Sequence, residues 1–134
     1  MPRLVKGAKW VFGWVTVGPD RVVSVPPEAW EEYGFRAGEE AIFMRGSRRS
    51  GGFAIGTTRL MAKAAERLDG GMLRVLGKGR FLDGGRVTVP ACVKVEVGDR
   101  LLTARGSCYG LGFVAQGPIY EEALQHPELV CFGG

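Results

Sequence analysis

The arginines and lysines of this chain are the residues whose types and spacing suggest chemistry, and that chemistry is phosphate binding. Arg45, Arg48 and Arg49 form the densest basic run, in a turn rich in glycine and serine. A protein whose cations neutralise phosphates gains affinity by releasing the counterions condensed on the nucleic acid. The chain has 18 lysines and arginines against 14 aspartates and glutamates, a net charge of +4. This excess permits nucleic-acid binding only if folding gathers the charges on one face.

Residues that would support catalysis, a metal site or a cofactor are sparse. The single histidine, His126, precedes a proline, and the pattern gives it no nucleophile or carboxylate partner. Cys92, Cys108 and Cys131 lack the spacing of a zinc site, and we interpret them as small buried apolar residues. Gly71–Gly79 has the glycines of a phosphate-binding loop without its spacing or its final serine or threonine. We therefore expect no enzyme, no metal and no cofactor.

The composition predicts a cytoplasmic protein with no membrane segment. No apolar run approaches the roughly 20 residues that span a bilayer. The first 14 residues include basic side chains but have neither a continuous apolar segment nor a small-residue cleavage site, so we expect no signal peptide. Three widely spaced cysteines do not form a disulfide framework, which agrees with a reducing compartment.

The sequence segments that must position the basic residues occur twice along the chain, as an internal repeat. Arg21–Pro26 (RVVSVP) aligns with Gly85–Pro90 (GRVTVP), which places Gly13 over Gly77. Beyond the prolines the second copy is four residues shorter, and the later features then align in the same order. These features are Gly38 with Gly98, Arg45-Gly46-Ser47 with Arg105-Gly106-Ser107, and Gly52-Phe53 with Gly112-Phe113. We predict two repeats, residues 1–69 and 70–134, that form one intertwined domain.

Each copy has the pattern β-β-short α-β-β-α. In the first strand, Trp10, Phe12 and Trp14 are predicted to alternate on one face, in the core or in a dimer interface. A helix follows each copy, at Thr57–Leu68, with Thr57 or Thr58 as N-cap, and at Gly117–Leu129. One copy has too few strands to close a sheet, whereas two copies interleaved about a pseudo-two-fold axis remove each other's open edges. We predict a mostly β (α+β) fold, a tandem pseudo-two-fold β-barrel.

The segment Asp83–Leu102, DGGRVTVP…VEVGDRLL, resembles the SpoVT/AbrB swapped-hairpin family. Gly18–Phe43 carries the same pattern with an intact short helix. The pattern is Gly-Arg-aliphatic-x-aliphatic-Pro, a short helix, and a glycine with an acidic residue before a strand. The resemblance implies a swapped-hairpin barrel, a prokaryotic DNA-binding transcription regulator and double-stranded DNA as its partner. It is compatible with a homodimer.

The predicted phosphate contacts are seven basic residues distributed over both copies. Four of them have a structural alternative. Arg45 and Arg105 would instead hold their hairpins through backbone carbonyls, and Arg21 and Arg86 would be solvated charges at strand ends. The seven are Arg21, Arg45, Arg48, Arg49, Arg86, Lys94 and Arg105.

The alternative function is a protein-interaction or assembly module that keeps the barrel and does not bind DNA. DNA-binding members of the family carry a basic residue four positions after the proline. Trp30 occupies that position in copy one and is followed by Glu31 and Glu32, whose charges oppose phosphate binding. Lys94 occupies it in copy two, in a segment too short for a full helix. A protein partner would then bind the apolar aromatic face and the C-terminal helices.

Overall fold

Short apolar strands, ended by glycines and prolines, build a mostly β structure. The computed structural model describes residues 11–45, 51–60, 75–105 and 110–132. The strands in these ranges are β1 Val11–Thr16, β2 Val22–Ser24, β3 Glu40–Arg45, β4 Phe53–Gly56, β5 Val75–Leu82, β6 Arg86–Thr88, β7 Arg100–Arg105, β8 Leu111–Val114 and β9 Cys131–Phe132. The helices are α1 Pro27–Tyr33 and α2 Pro118–Ala123, with a 3-10 turn at Pro19–Arg21.

The strands form one sheet that curls into a nearly closed barrel. Their order is β2-β6-β5-β3-β4-β8-β7-β1-β9, with antiparallel pairing except between β1 and β9. At the opening, the Gly18 N–H donates to the Val22 carbonyl at 2.9 Å, which ties the end of β1 to the start of β2. The prediction of a mostly β barrel is therefore confirmed. In the described ranges, no helix is long and apolar enough to cross a membrane.

If β9 is left out and the order is treated as a closed ring, it is unchanged when β1 to β4 exchange places with β5 to β8. We call this exchange the two-fold relation. Gly13 in β1 lies opposite Thr103 of β7, and Gly77 in β5 lies opposite Phe43 of β3. Both pairings have an irregularity next to this glycine. The two-fold relation agrees with the predicted alignment of Gly13 with Gly77. Duplication of the chain and exchange of hairpins stay predictions.

The centre of the two-fold relation corrects the sequence alignment in one place. β4 and β8 pair with Ala54 opposite Gly112 and with Phe53 opposite Phe113. Arg45 of β3 pairs with Phe53 as Arg105 of β7 pairs with Leu111, so the relation matches Phe53 with Leu111, and the predicted match of Phe53 with Phe113 is wrong. The reason is that seven residues separate β3 from β4, whereas five separate β7 from β8.

The bulge in β1 also corrects the predicted aromatic face. Phe12 packs in the barrel interior, whereas Trp14 packs in a second apolar cluster outside it. The irregularity between Val11 and Gly13 breaks the alternation of side chains, so these two aromatic residues face opposite sides of the sheet. Trp30 is partly buried against the interior cluster, and Trp10 lies outside the described residues.

Two apolar layers hold the fold together. The interior contains six buried phenylalanines, and the rings of Phe53 and Phe113 stack with centroids 4.8 Å apart. Outside the barrel, Trp14 packs edge-on against Tyr120 of α2, with centroids 5.0 Å apart. In this outer layer, the apolar face of α2 covers the outside of β1 and β7.

The two copies differ most where the short helix is predicted. In copy one, proline begins α1 and Gly34, with φ of 67°, ends it. In copy two, residues 91–93 form only a turn, in agreement with the shortened sequence. α2 is shorter than the predicted Gly117–Leu129. Thr57 accepts a hydrogen bond from the Leu60 N–H at 3.2 Å, as an N-cap does, and the rest of that predicted helix lies outside the described residues.

Candidate functional site

Arg21 is bound to the backbone of the other copy. Its guanidinium donates to the carbonyls of Pro90, at 2.8 Å, Val93 and Val95. These carbonyls belong to the segment that takes the place of a helix in copy two, so the arginine supplies donors that helical N–H groups would otherwise provide. The φ of Arg21 is 57°, and its counterpart in the two-fold relation is Gly85, with φ of 73°. The geometry favours a structural role for Arg21 over a phosphate contact.

Arg105, at the end of β7, is paired with a carboxylate of α1. Its Nε donates to Oε2 of Glu32 at 2.8 Å, and a terminal nitrogen donates to Oε1. The hydrogen bonds that Arg105 donates to the Glu32 carboxylate raise the pKa of Arg105 above its ordinary value. The two side chains are 40% and 33% exposed, so the pair is a weak surface bridge in water. A phosphate that binds Arg105 must displace Glu32.

Arg45, at the corresponding end of β3, borders a cavity of about 310 Å³. Lys94 lines the same cavity, so the structure brings these two predicted contacts together. The cavity is also lined by Asp99, whose carboxylate accepts a hydrogen bond from the Glu96 N–H at 2.9 Å. The buried Phe53 also lines the cavity.

Arg86 begins β6 and is exposed, with its Nε 3.3 Å from the Asp83 carbonyl oxygen. Phe81 and Val87 are paired across β5 and β6 and are fully buried, so their neighbours on each strand face outward. Arg80 and Arg86 therefore share the outer face of this hairpin. This side of the hairpin is basic and polar.

Lys78 and Arg80 are basic residues of this face that the sequence argument missed. Both are exposed on β5, where alternate residues point to the same side. Lys78 lies 3.5 Å from the Glu40 carboxylate, and Arg80 donates to the Gly38 carbonyl at 2.6 Å. The sequence feature that could have identified this face is the alternation of Lys78 and Arg80 with glycines, which is typical of a strand with one basic side. Lys78, Arg80 and Arg86 are hereafter the basic face.

The alternating glycines serve packing. A Cβ at Gly77 would overlap the Cys92 sulfur, and one at Gly79 would overlap the Thr88 carbonyl oxygen. The inner side of β5 therefore accepts only glycine where the β6 segment crosses it. This explains a glycine pattern that resembles a phosphate-binding loop without its spacing.

The cysteines and the histidine differ from their predictions. Cys92 and Cys131 are exposed, not buried: Cys92 lies in a turn and Cys131 in a two-residue edge strand. His126 does have a carboxylate neighbour, Glu128, with Nδ1 2.7 Å from Oε1 on the surface. A backbone hydrogen bond and this histidine lower the pKa of Glu128. Within the described ranges, no three potential ligands are grouped to hold a metal ion.

Three of the residues singled out in the sequence, Arg48, Arg49 and Cys108, lie outside the described residues. No protein-family model matches this chain, and the search of curated proteins finds no match.

Proposed function

We propose that this protein binds double-stranded DNA as a prokaryotic, cytoplasmic transcription regulator, built as a tandem swapped-hairpin barrel of the SpoVT/AbrB type. The observation that carries the proposal is the basic face, where Lys78, Arg80 and Arg86 are exposed on one side of one hairpin. Three cations on a rigid two-stranded element form a ready surface for phosphate oxygens.

The contacts of the basic face leave it accessible to phosphate. The Lys78–Glu40 pair is long, at 3.5 Å, and its side chains are 60% and 43% exposed. Such a pair contributes little in water, so a DNA phosphate can replace the carboxylate. Arg80 donates one hydrogen bond to a backbone carbonyl, which fixes its stem and leaves its charge uncompensated by that contact.

Among the described residues, the basic face has no equivalent in the other half of the barrel. Under the two-fold relation, Lys78 and Arg80 correspond to Trp14 and Thr16, and Trp14 is covered by Tyr120. In the part of the chain that the structure describes, the barrel therefore presents one such basic side. DNA shape, read through backbone contacts, suits such a surface better than symmetric base contacts.

A fluorescence-anisotropy titration with random duplex DNA tests the proposal. At low salt we expect micromolar binding, because non-specific protein–DNA affinity lies at about 10⁻⁴ to 10⁻⁶ M and rises as salt falls. Arg86→Gln should weaken binding, whereas Arg36→Gln removes an exposed charge that is not one of the three residues of the basic face and should leave it unchanged. Absence of binding at low salt would refute the proposal.

A protein-interaction module is the second candidate, and α1 is the observation that favours it. Glu28 and Glu31 are exposed on this helix, and Glu32 pairs with Arg105. The family resemblance places the DNA-contacting side chain on this helix. If DNA does not bind, capture experiments with the wild-type chain and a Glu28→Lys/Glu31→Lys variant test whether this acidic face binds a protein.

A further inference from the structure

The ends of β3 and β7 correspond under the two-fold relation, but they are covered differently. Hydrogen bonds fix the correspondence: the Gly38 N–H donates to Phe81 as the Gly98 N–H donates to Val17, both at 2.7 Å. Pro26 and Gly38 bound this segment in copy one, and Pro90 and Gly98 bound it in copy two. Within it, four residues of copy two take the place of Pro27–Gly34 of copy one. The shortened segment cannot form the helix that covers the end of β7.

The missing helix has a direct consequence for the charges. At the end of β7, α1 supplies the Glu32 carboxylate to Arg105. At the end of β3, the shortened segment supplies Lys94 instead, and the cavity of about 310 Å³ opens beside Arg45. One site therefore pairs an arginine with a carboxylate, and the corresponding site has two cations beside a cavity that Asp99 also lines.

We propose that this cavity binds a small organic anion, whose carboxylate or phosphate lies beside Arg45 and Lys94 as Glu32 lies beside Arg105. Guanidinium and ammonium groups that converge on one cavity bind an anion through charge-assisted hydrogen bonds. Asp99 is the opposing charge, and it is directed to its own turn by the hydrogen bond from Glu96. The other two groups remain to receive the ligand.

The cavity also suits an apolar body attached to the anion. Its volume lies at the lower end of the range for small-molecule sites, about 300 to 1,000 Å³. Phe53, Val93 and Leu101 line it with side chains that are 2%, 4% and 2% exposed. An aromatic or branched aliphatic group can cover these side chains while its charged group contacts the rim.

This site is separate from the proposed DNA surface. None of the three residues of the basic face lines the cavity as the described residues form it. The two proposals can therefore fail independently, because removal of Arg45 tests the cavity and removal of Arg86 tests the DNA surface.

Titration of the ¹⁵N-labelled full chain with phenyl phosphate and with benzoate tests the proposal. We expect at least one of them to shift the amides of Gly52 and Val93 to Val95 in a saturable way. Arg45→Gln should weaken that binding about tenfold or more, the loss expected for one charge-assisted hydrogen bond. Arg36→Gln, which removes a charge elsewhere, should leave the affinity unchanged.

Two further probes separate the parts of the proposal. Benzyl alcohol matches the apolar body without the charge, and inorganic phosphate matches the charge without the body; we expect both to bind more weakly than phenyl phosphate. Preference for phenyl phosphate over benzoate identifies a phosphate ester, and the reverse identifies a carboxylate. The proposal is overturned if neither aromatic anion shifts these amides, if benzyl alcohol or inorganic phosphate binds equally well, or if the two variants weaken binding equally.

Discussion

Arginines with similar sequence settings have different tasks in this molecule, and their partners decide which. Arg21 binds carbonyls 69 to 74 residues away, Arg105 binds a carboxylate 73 residues away, and Arg45 faces a cavity. A strand-end arginine is visible in the sequence, but such distant partners are not. The sequence therefore identifies the seven predicted phosphate contacts as cations. Only the fold shows which of these side chains have a structural role and which are accessible to a ligand.

Replacement of Arg21 tests its structural role. Arg21→Ala should lower the free energy of unfolding by about 2 to 4 kcal/mol, because hydrogen bonds from a charged donor contribute about 1.5 to 3 kcal/mol each and their loss strands partly buried carbonyls. Urea unfolding measures the change. Arg36→Ala, at an exposed position, should change stability by less than about 0.5 kcal/mol. Equal unfolding midpoints for the two variants would contradict this role.

At the scale of the elements, glycine and proline positions were the most informative part of the sequence. The strands before Pro26 and Pro90 and the match of Gly13 with Gly77 agree with the structure. The match of Phe53 with Phe113 disagrees with the structure. The β3–β4 loop is two residues longer than the β7–β8 loop, which preserves the order of the sequence features but shifts their register. The basic face was not predicted because Gly77 and Gly79 were compared with the glycines of a phosphate-binding loop and not with those of a strand.

The glycine strand β5 gives a prediction about packing. A Cβ at Gly79 would meet backbone at Thr88 and lie 2.9 Å from the Phe43 ring, neither of which can move freely. Gly79→Ala should therefore destabilise the protein by about 3 kcal/mol or more, at the upper end for overpacked interiors. Gly38→Ala is the matched control: nothing lies within 4 Å of the added Cβ, and only φ of 86° opposes it, at about 1 to 2 kcal/mol. If Gly38→Ala lowers the thermal unfolding temperature more than Gly79→Ala does, the backbone at Thr88 and the Phe43 ring can move to accommodate a Cβ at position 79.

At the scale of the whole molecule, the two-fold relation holds for the pairing of the strands, whereas the surfaces of the two halves differ over the ranges that the structure describes. One half covers the outside of its barrel strands with α2, and the other exposes the basic face. One half pairs its strand-end arginine with a carboxylate, and the other leaves a cavity. A symmetric frame with unequal surfaces allows two different ligands to bind one chain, which a symmetric pair of identical surfaces would not.

The unequal surfaces also predict how DNA binding depends on salt. If the three cations of the basic face each neutralise one phosphate, the logarithm of affinity should fall with the logarithm of salt at a slope of about −2.7, since each contact contributes about −0.9. Arg86→Gln should reduce the slope to about −1.8, while Arg36→Gln keeps it. Light scattering of the complex should find one barrel on a duplex too short for two, without any requirement for a palindromic sequence. A slope unchanged in Arg86→Gln would place the phosphate contacts elsewhere on the molecule, and a strict need for two chains on a palindrome would show that the missing symmetry is restored by a second copy.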